Sequence, residues 1–269
     1  MQYDPIKKSL GIFFNKSVIL RKLFYRLLDL LLLRTWHVKK ALGEISSKFP
    51  DNASVLDAGS GFGQYSWRMS SRYRQWEIKA IDIKQEQIDD CRDFFKRTGR
   101  ADRVKFELAD LVDFNEKNIY NLILSVDVME HIDDDMRVFQ NLHNALKSGG
   151  ILIISTPSDK GGSDVHDLHG TSFIEEHVRD GYNIDDIQNK LRTAGFSKIS
   201  AKYTYGASGQ LSWLLSMKLP VKMLNASYAF FLILPFYYIL AFPVSLVLNT
   251  IDLYSGNKSG TGLLVEAVK

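Results

Sequence analysis

Three glycines at alternate positions, Gly59, Gly61 and Gly63, follow a short apolar run that ends in a carboxylate, Val55-Leu56-Asp57. Glycines spaced this way let the backbone turn tightly and approach a ligand, because no Cβ intervenes. A strand-to-helix turn of this kind aims free N–H groups and a helix N-terminus at whatever sits above it. A second concentration of chemistry lies downstream. His131 is followed by Asp164, His166, Asp167 and His169, then Glu175, Glu176 and His177. Histidine is the usual group for taking a proton from a hydroxyl near neutral pH. The glycine loop alone suits a dinucleotide, a nucleotide phosphate or S-adenosylmethionine (SAM).

Three details favour SAM. The dinucleotide fingerprint wants a glycine where Gln64 stands, and no Lys-Ser/Thr pair follows the loop, which excludes a phosphate-binding P-loop. The Asp57 carboxylate would repel a pyrophosphate but suits the cationic amino group of SAM. Here the chain resembles the class I SAM-dependent methyltransferases, whose first motif reads like Leu56-Asp57-Ala58-Gly59-Ser60-Gly61-Phe62-Gly63. Ser60 departs mildly from the usual Cys or Thr. The resemblance continues in order along the chain, beginning with Trp76–Ile83, where Asp82 lies 19 residues beyond Gly63, the place of a ribose-binding carboxylate. It extends to Val104–Leu111, with Asp110 where the family contacts the adenine amino group. Tyr120–Ile132, with its trailing Glu130-His131-Ile132, and Leu146–Pro157 complete it. The cofactor set it implies is Asp57, Gly59, Ser60, Gly61, Gly63, Tyr65, Asp82, Ile83, Asp110, Leu111 and Ser125.

The elements that must position these residues form an α/β fold. The resemblance implies a Rossmann-like, mostly parallel seven-stranded sheet with an antiparallel last strand. An N-terminal helical arm (1–50) precedes the SAM-binding core (51–206). An apolar helical insert (207–260) and a closing strand (261–269) follow. The single cysteine, Cys91, falls in a helical stretch, excludes intramolecular disulfides and suits a reducing cytosol.

Charge is uneven. Residues 1–40 hold nine Lys or Arg against two acids, whereas the whole chain nets only +3. Leu20, Leu23, Phe24, Leu27, Leu28 and Leu31 follow helical spacing, with Arg21, Lys22, Arg26 and Asp29 assigned to the opposite side. Such a helix can cap the cofactor pocket or lie on anionic lipid. Between Lys222 and Asp252 come 29 residues without a formal charge. A single membrane crossing is ruled out by topology, because the last strand must return to the same sheet. Pro235 and Pro243 predict breaks, and hence two or three short helices from about 209 to 253. The expected partners are a hydrophobic small-molecule acceptor and a membrane surface, met through the N-terminal helix and residues 209–253. The expected location is cytoplasmic, peripheral at the inner membrane face. The basic residues sit in an amphipathic arm and no Asn/Asp-Pro-Pro-Tyr motif follows the fourth strand, so nucleic acid is not expected.

SAM presents an activated methyl group, and the protein must align a nucleophile with it and exclude water. His131, His166, His169 and His177 are the candidate catalytic residues, and their density favours O- over C-methylation. His166 and His169 also have metal-ligand spacing, but without a stricter motif no metal is assigned. Two alternatives stand beside the membrane-resident acceptor. One is a soluble acceptor with the insert as a lid; the other is a noncatalytic SAM-binding subunit at the membrane.

Overall fold

The computed structural model describes residues 17–161 and 178–269. Two helices open the described chain, α1 (Val18–Leu31) and α2 (Leu33–Ser46). Strands and helices then alternate: β1 (Ser54–Ala58), α3 (Gln64–Arg72), β2 (Glu77–Asp82), α4 (Gln85–Arg97), β3 (Val104–Leu108) and β4 (Tyr120–Val126). After a 3₁₀ turn (Met129–His131) come α5 (Asp135–Ala145), β5 (Leu146–Pro157), α6 (Ile184–Thr193) and β6 (Lys198–Thr204). The seven strands form one sheet in the order β3-β2-β1-β4-β5-β7-β6, where β7 is Gly262–Val268. β1 pairs in parallel with both β2 and β4, and β7 runs antiparallel between β5 and β6.

The strands read as apolar runs because both faces are covered. Val55, Ile78, Leu122, Leu124 and Ile153 face a layer that includes α2, α3 and α4. Leu56, Ile81, Ile123, Leu152 and Ile154 face α5 and α6. Residues 146–150, with the Gly149-Gly150 pair, belong to β5. Pairing with β4 shifts register between Tyr120 and Leu122, so the Gly149-Gly150 pair is accommodated as an irregularity within the strand.

The chain between β6 and β7 forms a helical hairpin. Its outward arm is α7 (Ala207–Trp213), a π turn (Leu214–Lys218) and α8 (Leu219–Ala226). A 3₁₀ turn (Tyr228–Leu232) reverses the chain, and α9 (Leu234–Tyr254) returns it. The arms are stitched antiparallel. Tyr237 Oη donates to the Leu215 carbonyl at 2.6 Å, Tyr238 Oη to that of Ser216 at 2.7 Å, and Ser212 Oγ to that of Ser245 at 3.2 Å. Pro235 sits in the first turn of α9, where its missing N–H is no loss. Pro243 lies inside α9 without ending it, contrary to the expected break. A proline there forfeits one main-chain bond, and the helix carries on through it with both flanking turns intact. The insert is therefore one hairpin with a 21-residue return helix.

α9 is inverted for a water-facing helix. Its buried positions are Leu234, Ala241, Ser245, Asn249 and Asp252, mostly small or polar. Its exposed positions include Phe236 (70%), Ile239, Leu240 (76%), Val244 and Val247. By length and composition α9 is apolar enough to cross a membrane. Both ends of the hairpin nevertheless return to one place, because Thr204 pairs with Gly262 at the same sheet edge.

α1 also differs from its sequence reading. Arg21 is buried and Tyr25 with it, while Ile19, Leu23, Leu27 and Leu30 are exposed. The reason is specific pairing. The Arg21 guanidinium donates to the carbonyls of Phe62 (2.9 Å) and Asp90 (3.0 Å) and to Tyr25 Oη (2.8 Å).

Candidate cofactor and acceptor site

The C-terminal ends of the parallel strands define the site, the edge at which open α/β sheets bind ligands. Gly59 has φ +83°, and a Cβ there would lie 2.2 Å from Val128 Cγ2. Only glycine lets this turn pass so close to the segment after β4. Gly63, at φ +74°, caps α3 and packs where a Cβ would meet Cys91 Sγ at 3.1 Å. The loop between them is held from β2, since Gly61 N donates to Asp82 Oδ2 at 2.9 Å and Lys84 N to Asp82 Oδ1 at 3.0 Å.

Asp57 lies at the base of the loop, buried, with Ser66 Oγ donating to its Oδ2 at 2.6 Å. Burial lifts its carboxyl to about 6, against the opposing pull of the Ser66 hydrogen bonds. Ser60 Oγ and Ser125 Oγ are buried without a partner among the described residues. Ile83 is exposed at the end of β2, and Asp110 Oδ1 accepts from Val112 N at 2.8 Å beyond β3. Leu111 is buried in the core beneath. Tyr65, nearly buried, lies 3.5 Å from Thr35 Oγ1 of α2. These groups suit SAM: a glycine turn with open backbone, a buried carboxylate for a cation, acids at the ends of β2 and β3, and unpaired hydroxyls in between.

The acceptor side is built from the end of β4 and the helices above it. Asp127 adopts φ +53°, uncommon for a non-glycine residue, and its carboxylate pairs with Arg34 at the start of α2. The Arg34 backbone N–H donates to Tyr205 Oη at 3.0 Å. Glu130 is buried and accepts from Thr156 Oγ1 at 3.0 Å; burial pushes its carboxyl above the usual range. His131 is exposed on the 3₁₀ turn that follows β4. His166, His169 and His177 lie outside the described residues, as do Asp164, Asp167, Glu175 and Glu176. Among the described residues no three His, Cys, Asp or Glu side chains converge as metal ligands.

Sequence reasoning missed four residues here. Arg21 and Tyr25 clamp α1 onto the glycine loop through the Phe62 carbonyl, which both donate to. Arg34 reaches from the arm to the sheet edge. His37 Nε2 meets Asp252 Oδ1 at 2.9 Å, joining α2 to α9 in the interior. The Arg21/Tyr25 spacing of four was a usable signal; the other partners are 93 and 215 residues apart in sequence and leave none. Cys91 is buried beside Arg21, and burial pushes its thiol up to about 12, so it is a packing group and not a nucleophile.

Comparison with known proteins agrees with this geometry. The sequence model of the methyltransferase-domain family matches residues 21–201, and the chain belongs to that family. Its sheet order, antiparallel β7 and glycine loop are those of the class I SAM-dependent methyltransferases, with SAM as the cofactor. Among relatives, it is 28% identical over 107 residues to malonyl-[acyl-carrier protein] O-methyltransferase 1 of Ilyobacter polytropus, covering 40% of this chain and 39% of that one. It is 27% identical over 149 residues to phosphoethanolamine N-methyltransferase 1 of Triticum aestivum, covering 55% and 29%. The chain thus spans well under two thirds of the length of these relatives. Phosphoethanolamine N-methyltransferase 2 of Haemonchus contortus, solved with SAM, superposes with a TM-score of 0.59 at 18% identity over 87% of this chain and 52% of that one. A SAM-dependent methyltransferase of Mesorhizobium loti superposes at 0.52 with 16% identity, covering 84% and 96%.

Proposed function

We propose that this protein transfers a methyl group from SAM to a hydrophobic small molecule while its helical hairpin rests in a membrane. Bound SAM supplies the electrophilic methyl; the chain supplies position, dryness and proton handling. Asp57 and the 59–63 turn hold the amino-acid end of the cofactor, Asp82 the ribose and Asp110 the adenine edge. The acceptor enters between the end of β4 and the α2–hairpin roof, where Arg34, Tyr65, Tyr205 and Glu130 gather. His131, exposed on the turn after β4, is the proposed base for a hydroxyl acceptor, and His166, His169 and His177 belong to the same proposal. The relatives named above act on acceptors as different as an acyl-carrier-bound malonyl group and phosphoethanolamine, so they do not select one.

The observation that carries the membrane part is the inversion of α9. A helix exposing Phe236, Ile239, Leu240 and Val247 while burying Ser245, Asn249 and Asp252 is arranged for an apolar solvent. At 1.5 Å per residue its 21 residues extend roughly 30 Å, comparable to the hydrocarbon thickness. Because the hairpin returns to its starting edge, in this reading it dips in and comes back, a peripheral arrangement, and the cytoplasmic face is part of the same proposal. Trp213, near the root of the outward arm, suits the headgroup level, and the Lys218 ammonium lies back over its ring, 5.6 Å from the centroid.

Liposome flotation combined with methyl transfer from labelled SAM to lipid extract tests the reading. Flotation abolished by Phe236→Ser/Leu240→Ser/Val247→Ser, with a labelled product one methylene heavier in the apolar fraction, is the expected result. Unchanged flotation would leave the insert as a lid over a soluble acceptor. SAM binding without any labelled product would favour the noncatalytic subunit.

A further inference from the structure

A narrow cleft of about 10 Å³, room for one hydroxyl-sized group, lies at the root of the hairpin. Leu32 and Leu33 from the α1–α2 joint, Tyr205 after β6, Trp213 and Ser216 from the outward arm, and Asn249 from α9 all line it. We propose that this cleft holds a hydroxyl group of a neutral, apolar acceptor, so that the substrate class is a lipid-soluble phenol or alcohol and not a phosphorylated amphiphile. The proposal rests on the function above and names the substrate of that same site.

Four observations converge on it. Asn249 is 2% exposed, and its Oδ1 has no hydrogen-bond partner among the described residues. One turn earlier, Ser245 Oγ is also buried and unpaired. Buried polar atoms are nearly always satisfied, so the unpaired Asn249 oxygen in the lining of an open space calls for a partner. Secondly, among the described residues none that lines the cleft carries a charge. A phosphate or carboxylate would lose its hydration here with no cation to replace it, whereas a hydroxyl loses little once bonded. Thirdly, the O and N of the Asn249 amide can exchange places by a flip. A hydroxyl, which both donates and accepts, satisfies either orientation.

Continuity is the fourth. On one side the cleft borders Trp213, which is 41% exposed on the hairpin surface assigned to lipid. On the other side Tyr205 receives the Arg34 N–H, and Arg34 pairs with Asp127 at the end of β4. The cleft therefore lies between the apolar exterior and the methyl-transfer site, and Asn249 is a positioning and specificity residue on that route.

Trp213 makes the test direct. The full chain in neutral-lipid nanodiscs is titrated with 4-nonylphenol, with its methyl ether 4-nonylanisole, and with dodecyl phosphate, following the fluorescence change that Trp213→Phe removes. Saturable binding of the phenol is expected, with the ether about tenfold weaker for want of a donor and the phosphate without saturable signal. Asn249→Leu is expected to weaken the phenol about tenfold and to leave SAM affinity, measured by calorimetry, unchanged. If Asn249→Leu fails to bind SAM and so is misfolded, the phenol–ether comparison on the native chain decides alone. Equal binding of phenol and ether, or phosphate binding as tight as the phenol, overturns the proposal. No saturable phenol binding, which would leave the cleft to ordered water alone, also overturns it. The functional reading fails separately, by absence of methyl transfer while phenol binding and its Asn249 dependence persist.

Discussion

Replacing Asp57 by Asn should make the ligand-free protein more stable at pH 8, and the gain should vanish in acid. The carboxyl ordinarily titrates at 3.8, and burial raises it to about 6 in the folded chain. A raised acid contributes stability that is full below 3.8 and is lost as pH rises through about 6. Two units at 1.36 kcal/mol each put the penalty of ionised Asp57 at about 3 kcal/mol above that window. Asn keeps the acceptor for Ser66 Oγ but never ionises. The advantage of Asn over Asp should therefore grow by about 2 kcal/mol between pH 4 and pH 8, whatever constant offset the amide introduces. Urea unfolding of both proteins across that range measures it. The second half of the experiment adds SAM. If its ammonium pairs with the Asp57 carboxylate, binding demands deprotonation, and SAM affinity in the native chain should fall about tenfold per pH unit below 6. In Asp57→Asn that slope should be absent and the affinity low throughout. Unfolding curves whose difference is constant from pH 4 to pH 8 would refute the assignment of a strained, buried carboxylate beneath the loop.

Two further outcomes follow from the geometry. Gly59→Ala forces a Cβ to 2.2 Å from Val128 Cγ2 at a φ of +83°, so it should cost about 2 kcal/mol or more in thermal unfolding and abolish SAM binding; Gly59→Ala/Val128→Ala should recover part of the stability but not all, since the backbone penalty remains. His37→Ala removes one of the hydrogen bonds to the buried Asp252 carboxylate, a loss of about 1–3 kcal/mol, and hydrogen exchange should speed up at the Tyr205, Gly206 and Gly209 amides that also donate to Asp252, an effect whose absence would mean the hairpin is docked by other contacts.

The sheet and the cofactor loop were legible because their signals are local. Val55-Leu56-Asp57 and the alternate glycines sit within a dozen residues, and each later strand ends in its own acid or turn. An antiparallel last strand followed from the family resemblance and is what the structure holds; its seat between β5 and β6 is read from the pairing alone. The arm was misread for the opposite reason. Arg21 is polar by type and so was assigned to the outer face, but the Phe62 and Asp90 carbonyls that draw it inward are far along the chain. The break at Pro243 was misjudged because a proline rule is local, whereas α9 is held along its length by the Ser212, Ser216 and Asp252 contacts of the other arm and the sheet edge. The most telling signal in the insert was present but unused. Ser245, Asn249 and Asp252 recur at helical spacing within an apolar run, which marks one wet seam on an otherwise apolar cylinder.

The pairing of Thr204 with Gly262 also sets an order of assembly. β7 enters between β5 and β6, yet the whole hairpin precedes it in the chain. During synthesis the most water-averse segment therefore emerges while the sheet is still open and β6 has no neighbour to pair with. Closing that gap is entropically mild, since the cost grows only with the logarithm of the loop length. The exposed interval is the vulnerable one, with an unpaired strand edge and a greasy hairpin displayed together. A nascent chain of this design gains from meeting lipid, or a chaperone in its place, before its last strand arrives.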